Sequence, residues 1–343
     1  MARDPLRLVS RNGLTWLEST ALSRFPWLAH GFSIRHASPA GLGGATRRRH
    51  DDFNLGLTPG VQPATIEHNR QIFSNTLGPF PGIASLRQIH SALVYQVVGL
   101  RSDTAPAGPG HLRPLDYRVA GYTLPPLPPA GMCSGAPQRE NQPGDALLTA
   151  ERGVLLTVRM ADCLPVLIAD TRLRVVAAIH AGWRGALARI VEKVVGELRR
   201  IFNSNPQNQV AALGPSIGFC CYEVGDEVAE AFASQFVDSD AFLRKPAERD
   251  LQGPPERHTM LFHTQAPPGH ARPRPALHLD LAAVARSQLT AGGLKPSAIH
   301  ETAYCTACRG DLFFSHRREG VRAGRMMAVI GLRERPEGKP EHV

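Results

Sequence analysis

The sequence predicts an α/β fold on two observations. Three apolar, β-type runs follow one another at residues 154–158, 165–169 and 175–179, with Asp170 and Thr171 supplying turn chemistry between the last two. A helix comes directly after them. Its apolar positions Leu187, Ile190, Val191, Val194, Val195, Leu198, Ile201 and Phe202 recur at steps of three and four. Two short runs punctuate this block, Ala161-Asp162-Cys163-Leu164-Pro165 and His180-Ala181-Gly182-Trp183-Arg184-Gly185. They deliver a thiol and an imidazole to the ends of adjacent strands, just ahead of a helix N-terminus, where free backbone N–H groups favour anions.

In chain order, residues 30–35 read as a short strand entering a Gly-rich loop that holds Arg47, Arg48 and Arg49, expected to be solvated. Phe53-Asn54-Leu55-Gly56 closes the loop, and residues 64–77 read as a helix. Two β-type runs, 83–89 and 92–98, flank Gln88-Ile89-His90-Ser91. Residues 104–143 are Pro- and Gly-rich without periodicity and read as a surface insertion, with Cys133 incidental to it. After the central block come a strand at 210–213, the tight loop Gly214-Pro215-Ser216-Ile217-Gly218, and a helix at 226–236. A second irregular insertion, 245–275, carries His258, His263 and His270 without metal-ligand spacing. A helix at 280–289 and a last strand through Ile330 complete the pattern.

Composition narrows the class. The chain has 343 residues, 43% hydrophobic and 20% charged, as in soluble globular proteins. No apolar run approaches the roughly 20 residues needed to cross a membrane. No secretory block opens the chain, so a cytoplasmic location is the expectation. The net charge of +9 comes from Arg residues spread along the chain. That distribution predicts a solvated basic surface, not a nucleic-acid partner. Six scattered cysteines are too few for a disulfide scaffold in a chain this long, and reduced thiols are expected.

The residue types point to a metal or a nucleophile. Cys163, His180 and a further His would suit zinc through one thiolate and two imidazoles, with the fourth position left for water or substrate. Such a cation pulls the pKa of bound water from 15.7 toward roughly 7. Copper accepts the same ligands. Alternatively, Cys163 and His180 form a nucleophile and its base. Arg184 at the helix start, with Arg35, Arg317 and Arg318, could hold phosphate bidentately. Cys305 and Cys308 form a C-x-x-C unit without a second such unit to complete a zinc knuckle, so structural thiols are expected, as for Cys220 and Cys221.

Seven motifs in one order carry a resemblance: Gln88-Ile89-His90, Gly144-Asp145-Ala146-Leu147, the Cys163 and His180 runs, Gly214-Pro215-Ser216-Ile217-Gly218, Cys221-Tyr222-Glu223-Val224, and Asp311-Leu312-Phe313-Phe314-Ser315-His316-Arg317-Arg318. Together the sequence resembles the laccase-domain family, whose members are also labelled multicopper polyphenol oxidase, peptidoglycan editing factor and purine nucleoside phosphorylase. The resemblance implies one laccase-like domain over residues 1–343 with its core at about 31–330. It also implies an α/β layered sandwich of mixed β-sheets flanked by helices, related to cysteine-hydrolase-like deamidases.

It further implies a zinc site made by His90, Cys163 and His180, phosphorolysis of adenosine, inosine, guanosine and methylthioadenosine, and adenosine deamination. Partners would then be purine nucleosides and phosphate, handled by a monomer or small homo-oligomer. Asp162 is a candidate proton-transfer partner, and Asn54 joins the four arginines as a candidate substrate contact. Oxidation of phenols at copper and cell-wall hydrolysis through Cys163 are the competing activities. The two insertions and His36-Ala37, where the family tends toward glycine, are the departures from its pattern.

Overall fold

A computed structural model of the chain describes residues 4–37, 52–98, 111–115, 142–246 and 277–334. Three sheets are present among them. The first has six strands in the order β1 (Leu6–Arg11), β2 (Leu14–Ser19), β3 (Leu28–Ser33), β16 (Met326–Leu332), β8 (Val154–Met160) and β4 (Gly82–Ala84). The second has seven: β15 (Ile299–Glu301), β11 (Gln209–Leu213), β9 (Leu164–Asp170), β10 (Val175–Ala181), β7 (Ala146–Thr149), β5 (Val94–Val98) and β6 (His111–Leu115). A small third sheet pairs β12 (Glu223–Val224), β14 (Leu277–Leu279) and β13 (Leu243–Arg244).

The alternation of side chains along a strand builds the layers. In the seven-stranded sheet, Leu147, Leu167, Ala169, Val176, Ala178 and Ala212 face the six-stranded sheet and pack on Phe32, Leu156, Val158, Ala328 and Ile330. Their sequence neighbours Leu148, Val166, Ile168, Ala177, Ile179 and Ala211 point the other way. That face is covered by α3 (Ile190–Phe202), α4 (Asp226–Gln235) and α5 (Leu281–Ala291), through Val191, Val194, Phe232 and Val284. The outer face of the six-stranded sheet, with Trp16, Leu155 and Val329, takes Phe73 and Leu77 of α1 (Pro63–Leu77). The result is a helix–sheet–sheet–helix sandwich. β9 and β10 are buried on both faces, which is why they read as unbroken apolar runs.

Two expectations are revised, and one stretch that carried none proves ordered. The amphipathic stripe after Gly182 is not one helix: α2 (Trp183–Leu187) and α3 are separate, with Arg189 between them in the left-handed region at φ 56°. The residues ahead of the first strand read from the sequence form a β-hairpin that extends the six-stranded sheet, with Leu8 facing Leu17 and Val9 facing Trp16. Residues 111–115, inside the stretch read as an irregular insertion, pair with β5 as its antiparallel neighbour. Residues 104–110 and 116–141 of that stretch, Cys133 among them, the Arg47–Arg49 loop and the three His of the second insertion lie outside the described residues.

Candidate metal centre and active site

The corner between the two large sheets sets Cys163. β8 ends at Met160 in one sheet, β9 begins at Leu164 in the other, and Ala161-Asp162-Cys163 is the link. Asp162 takes φ 93°, a conformation L-residues rarely adopt, and its surroundings hold it there. Thr306 Oγ1 donates to Asp162 Oδ1 at 2.6 Å, and the Arg317 backbone N–H donates to Oδ2 at 2.6 Å. The Ile217 N–H donates to the Asp162 carbonyl at 2.8 Å.

His180 arrives near the end of β10 and is 4% exposed. His90 lies in the loop between β4 and β5, at the surface, and is also left-handed at φ 59°. Two side chains fix that loop. Gln88 pairs its amide reciprocally with the backbone of Arg159 in β8, donating to its carbonyl and accepting from its N–H, each at 2.7 Å. Asp145, fully buried, accepts from the N–H of His90 at 3.1 Å and from both the N–H and hydroxyl of Ser91 at 2.6 Å. The same carboxylate bonds His180 Nδ1 at 2.8 Å. Asp145 thus orients both histidines at once. It stands in one of the quoted motifs, but spacing gave it no role.

The ligating atoms of His90, Cys163 and His180 all lie within 4.8 Å of one another. A tetrahedral zinc with bonds of about 2.0–2.3 Å needs ligand separations of about 3.4–3.8 Å, so a contraction of at most about 1.4 Å would close the site. With Nδ1 of His180 held by a carboxylate, Nε2 is its free ligand atom, the arrangement that commonly backs a metal-bound histidine. Gly182 leaves room for this: a Cβ there would meet His90 Cδ2 at 2.7 Å and Cys163 Sγ at 3.1 Å. The three residues fit a zinc ion.

The electrostatics agree. Burial would raise the Cys163 thiol, but the charge and hydrogen bond of His180, then those of His90, bring it down to about 6. Burial would lower His180, but Cys163 and Asp145 raise it to about 9. Burial would raise Asp145 too, yet His180 and Ser91 hold it below the usual carboxylate range. These shifts favour a thiolate beside an imidazolium, and a cation held by His90, Cys163 and His180 would be bound in exchange for a proton.

The candidate substrate contacts divide. Tyr222 stands in the field of Cys163, Arg317, Asp162 and Arg184. Burial, then the negative charge on Cys163, push its phenol well above the ordinary range. Arg317 lies 5.6 Å from the Tyr222 ring centre and donates to the Glu223 carbonyl. Arg184 is exposed and stacks on Trp183 at 4.2 Å. Arg184, Arg317 and Cys163 thus all act electrostatically on Tyr222.

Arg35 and Arg318 are engaged elsewhere. Arg35 binds Asp52 through two bonds of 2.8 and 3.0 Å and Glu319 at 3.0 Å. Arg318 donates to the carbonyls of Thr306, Ala307 and Phe313 and to Glu319. Asn54 is buried and serves its own loop, bonding Thr58, Gly56 and the Arg325 N–H. Arg325, which received no role from the sequence, is partly buried in the field of Cys163 and Asp162, and desolvation lowers its pKa despite them. A groove of about 710 Å³ lies between α1 and the six-stranded sheet, lined by Ile66, Phe73 and Met327 among others; His90, Cys163 and His180 do not line it.

Residues 35–333 match the family described as multi-copper polyphenol oxidoreductase laccase. The chain belongs to this family. Among relatives of this laccase-like chain, an adenosine deaminase from an unknown prokaryotic organism is 38% identical over 187 residues, covering 54% of this chain and 61% of its own. A purine nucleoside phosphorylase of Bacteroides thetaiotaomicron is 34% identical over 186 residues, covering 54% of this chain and 60% of its own. The match thus spans about three fifths of those two proteins. Purine nucleoside phosphorylase YlmD of Geobacillus stearothermophilus is 30% identical over 314 residues, covering 90% of this chain and 95% of its own. The crystal structure of YlmD from the same organism superposes with a TM-score of 0.66 at 28% identity, covering 97% of this chain and 100% of that one. The mixed sheets flanked by helices are the architecture of these neighbours. Among the described residues, no helix is long and apolar enough to cross a membrane.

Proposed function

We propose that this chain is a purine nucleoside phosphorylase that also deaminates adenosine, using a zinc ion held by His90, Cys163 and His180. The observation that carries the reading is the convergence of those three ligating groups within 4.8 Å, backed by the Asp145 carboxylate on His180. The names of the full-length and partial relatives supply the substrate class. When bound, zinc supplies a Lewis acid beside the reacting atoms.

The chain's own residues do the rest. Asp145 fixes the ring orientation of His180 and the left-handed turn of His90. Arg184 and Arg317 present guanidinium groups that act on Tyr222, suited to phosphate by charge and by their planar fork of donors. Tyr222, which keeps its phenol proton at neutral pH, offers a donor and a ring face for the purine. Asp162 acts as a positioning residue, because both carboxylate oxygens are already bonded. In phosphorolysis a phosphate oxygen bonds to the sugar C1′ as the C1′–N9 bond breaks and the purine leaves with a proton. In deamination, water replaces the amine at purine C6 and ammonia departs.

A second reading rests on one observation, the placing of the Cys163 thiol beside the His180 imidazole that Asp145 orients, which is also what a nucleophile and its base require. Chromatography of adenosine incubated with the pure zinc-loaded protein, with and without phosphate, separates the two. Adenine and ribose-1-phosphate formed only with phosphate, or inosine in either sample, support the first reading. Unchanged adenosine in both samples overturns it in favour of a hydrolase acting through Cys163.

A further inference from the structure

Four cysteines that the candidate active site does not use come together elsewhere. Cys220 and Cys221 lie in the connection between β11 and β12, and Cys305 and Cys308 follow β15, more than eighty residues later. Their four sulfurs lie within 4.8 Å of one another. Cys308 Sγ is 3.6 Å from Cys220 Sγ and 3.4 Å from Cys221 Sγ, well beyond a disulfide bond of about 2.05 Å. None of the four is in a disulfide. A zinc ion with Zn–S bonds of about 2.3 Å requires sulfurs about 3.8 Å apart along each edge of a tetrahedron. The cluster already has that scale.

The backbone around it is arranged to match. The Gly218 N–H donates to Cys305 Sγ at 3.2 Å, the kind of bond that supports a thiolate. A Cβ on Gly218 would meet Cys305 Cβ at 3.1 Å and Cys220 Sγ at 3.3 Å, so the loop approaches the sulfurs as closely as glycine permits. Ser216 and Cys305 form a parallel bridge, and the Thr306 N–H donates to the Ser216 carbonyl at 2.9 Å. Arg318 places its guanidinium on the Thr306 and Ala307 carbonyls, both at 2.9 Å. That cation stands over the C-x-x-C turn, where four thiolates on one divalent ion would leave net negative charge.

We propose that Cys220, Cys221, Cys305 and Cys308 form a second metal site, a closed tetrathiolate for zinc that clamps the loop after β11 to the turn after β15. With four protein ligands and no open position, its role is structural. The turn it holds carries Thr306, whose hydroxyl bonds Asp162 beside Cys163. The second ion therefore steadies the linker that bears a ligand of the first.

The test uses the full chain carrying Cys163→Ala and His180→Ala, which removes the first site. Metal analysis of this protein as purified is expected to return about one zinc per chain. Cobalt added after chelation should give the intense thiolate-to-metal charge-transfer absorption of a sulfur-rich site. Adding Cys305→Ser should abolish that absorption. A mercurial titration of the double variant, which needs no further substitution, should release zinc in step with the loss of thiols. A folded double variant that holds no zinc and gives no cobalt absorption overturns the proposal. So does a disulfide within the cluster, read as the loss of two hydrogens by mass. None of these readouts depends on nucleoside turnover, so they stand apart from the activity proposed above.

Discussion

Asp145 Oδ1 and His180 Nδ1 are 2.8 Å apart inside the protein, with the carboxylate fully buried. The carboxylate is shared: while one oxygen orients His180, the pair of them also gathers the N–H groups of His90 and Ser91. Asp145→Asn keeps the shape and removes the charge. Zinc affinity, followed by chelator competition, is expected to fall about 10- to 100-fold, with turnover falling alongside it. Unchanged affinity would mean that Asp145 only shapes the loop.

Gly182→Ala tests how closely the ligands are packed. Gly182 has φ −75°, which any residue adopts, so the backbone is not strained by alanine. The added methyl would instead press on His90 and Cys163. We expect the variant to keep its fold, with at most about 1–3 kcal/mol lost to overpacking, and to lose metal. Thermal unfolding and metal content, measured together, check both halves.

The arginines are expected to separate by function. Arg184→Ala and Arg317→Ala should raise KM for phosphate about 10-fold or more with little change in stability, because each removes a charge-assisted contact. Arg35→Ala should do the reverse. It leaves Asp52 and Glu319 without their shared cation in a partly buried site, and a loss of about 1–3 kcal/mol is expected in urea denaturation.

His30 introduces a pH dependence remote from chemistry. It sits in β3, 4% exposed, accepting the Ser19 N–H at 3.0 Å, and burial lowers its pKa from 6.5 to about 4. Between those values the unfolded chain binds a proton that the folded chain refuses. Its contribution is therefore full above pH 6.5 and lost as pH falls toward 4, with a slope of up to about 1.4 kcal/mol per pH unit. His30→Gln should flatten that part of a plot of stability against pH.

Much of the architecture was legible because β9 and β10 are buried on both faces and α1, α4 and α5 lie close to the spans read as helices. The break between α2 and α3 was not. Its apolar stripe runs straight through, and only the left-handed Arg189 interrupts it. The hairpin of β1 and β2 was missed because it lies outside the span carried by the motifs. His90, Cys163 and His180 were readable together as motifs, since spacing alone offers no third ligand. Asp145 and Thr306 act through hydrogen bonds spanning tens of residues, which one sequence does not display. The four clustered cysteines escaped for the same reason: each pair looks incomplete until the sheet brings the two together.

The link at Ala161–Cys163 belongs to neither sheet; it is the place where the chain leaves one and enters the other. An ion bound to Cys163 on this link and to His180 on β10 would pin the crossing to the sheet it enters. On heating, the metal-loaded protein would then unfold at a higher temperature than the same protein stripped of its ion, by an amount set by the free metal concentration.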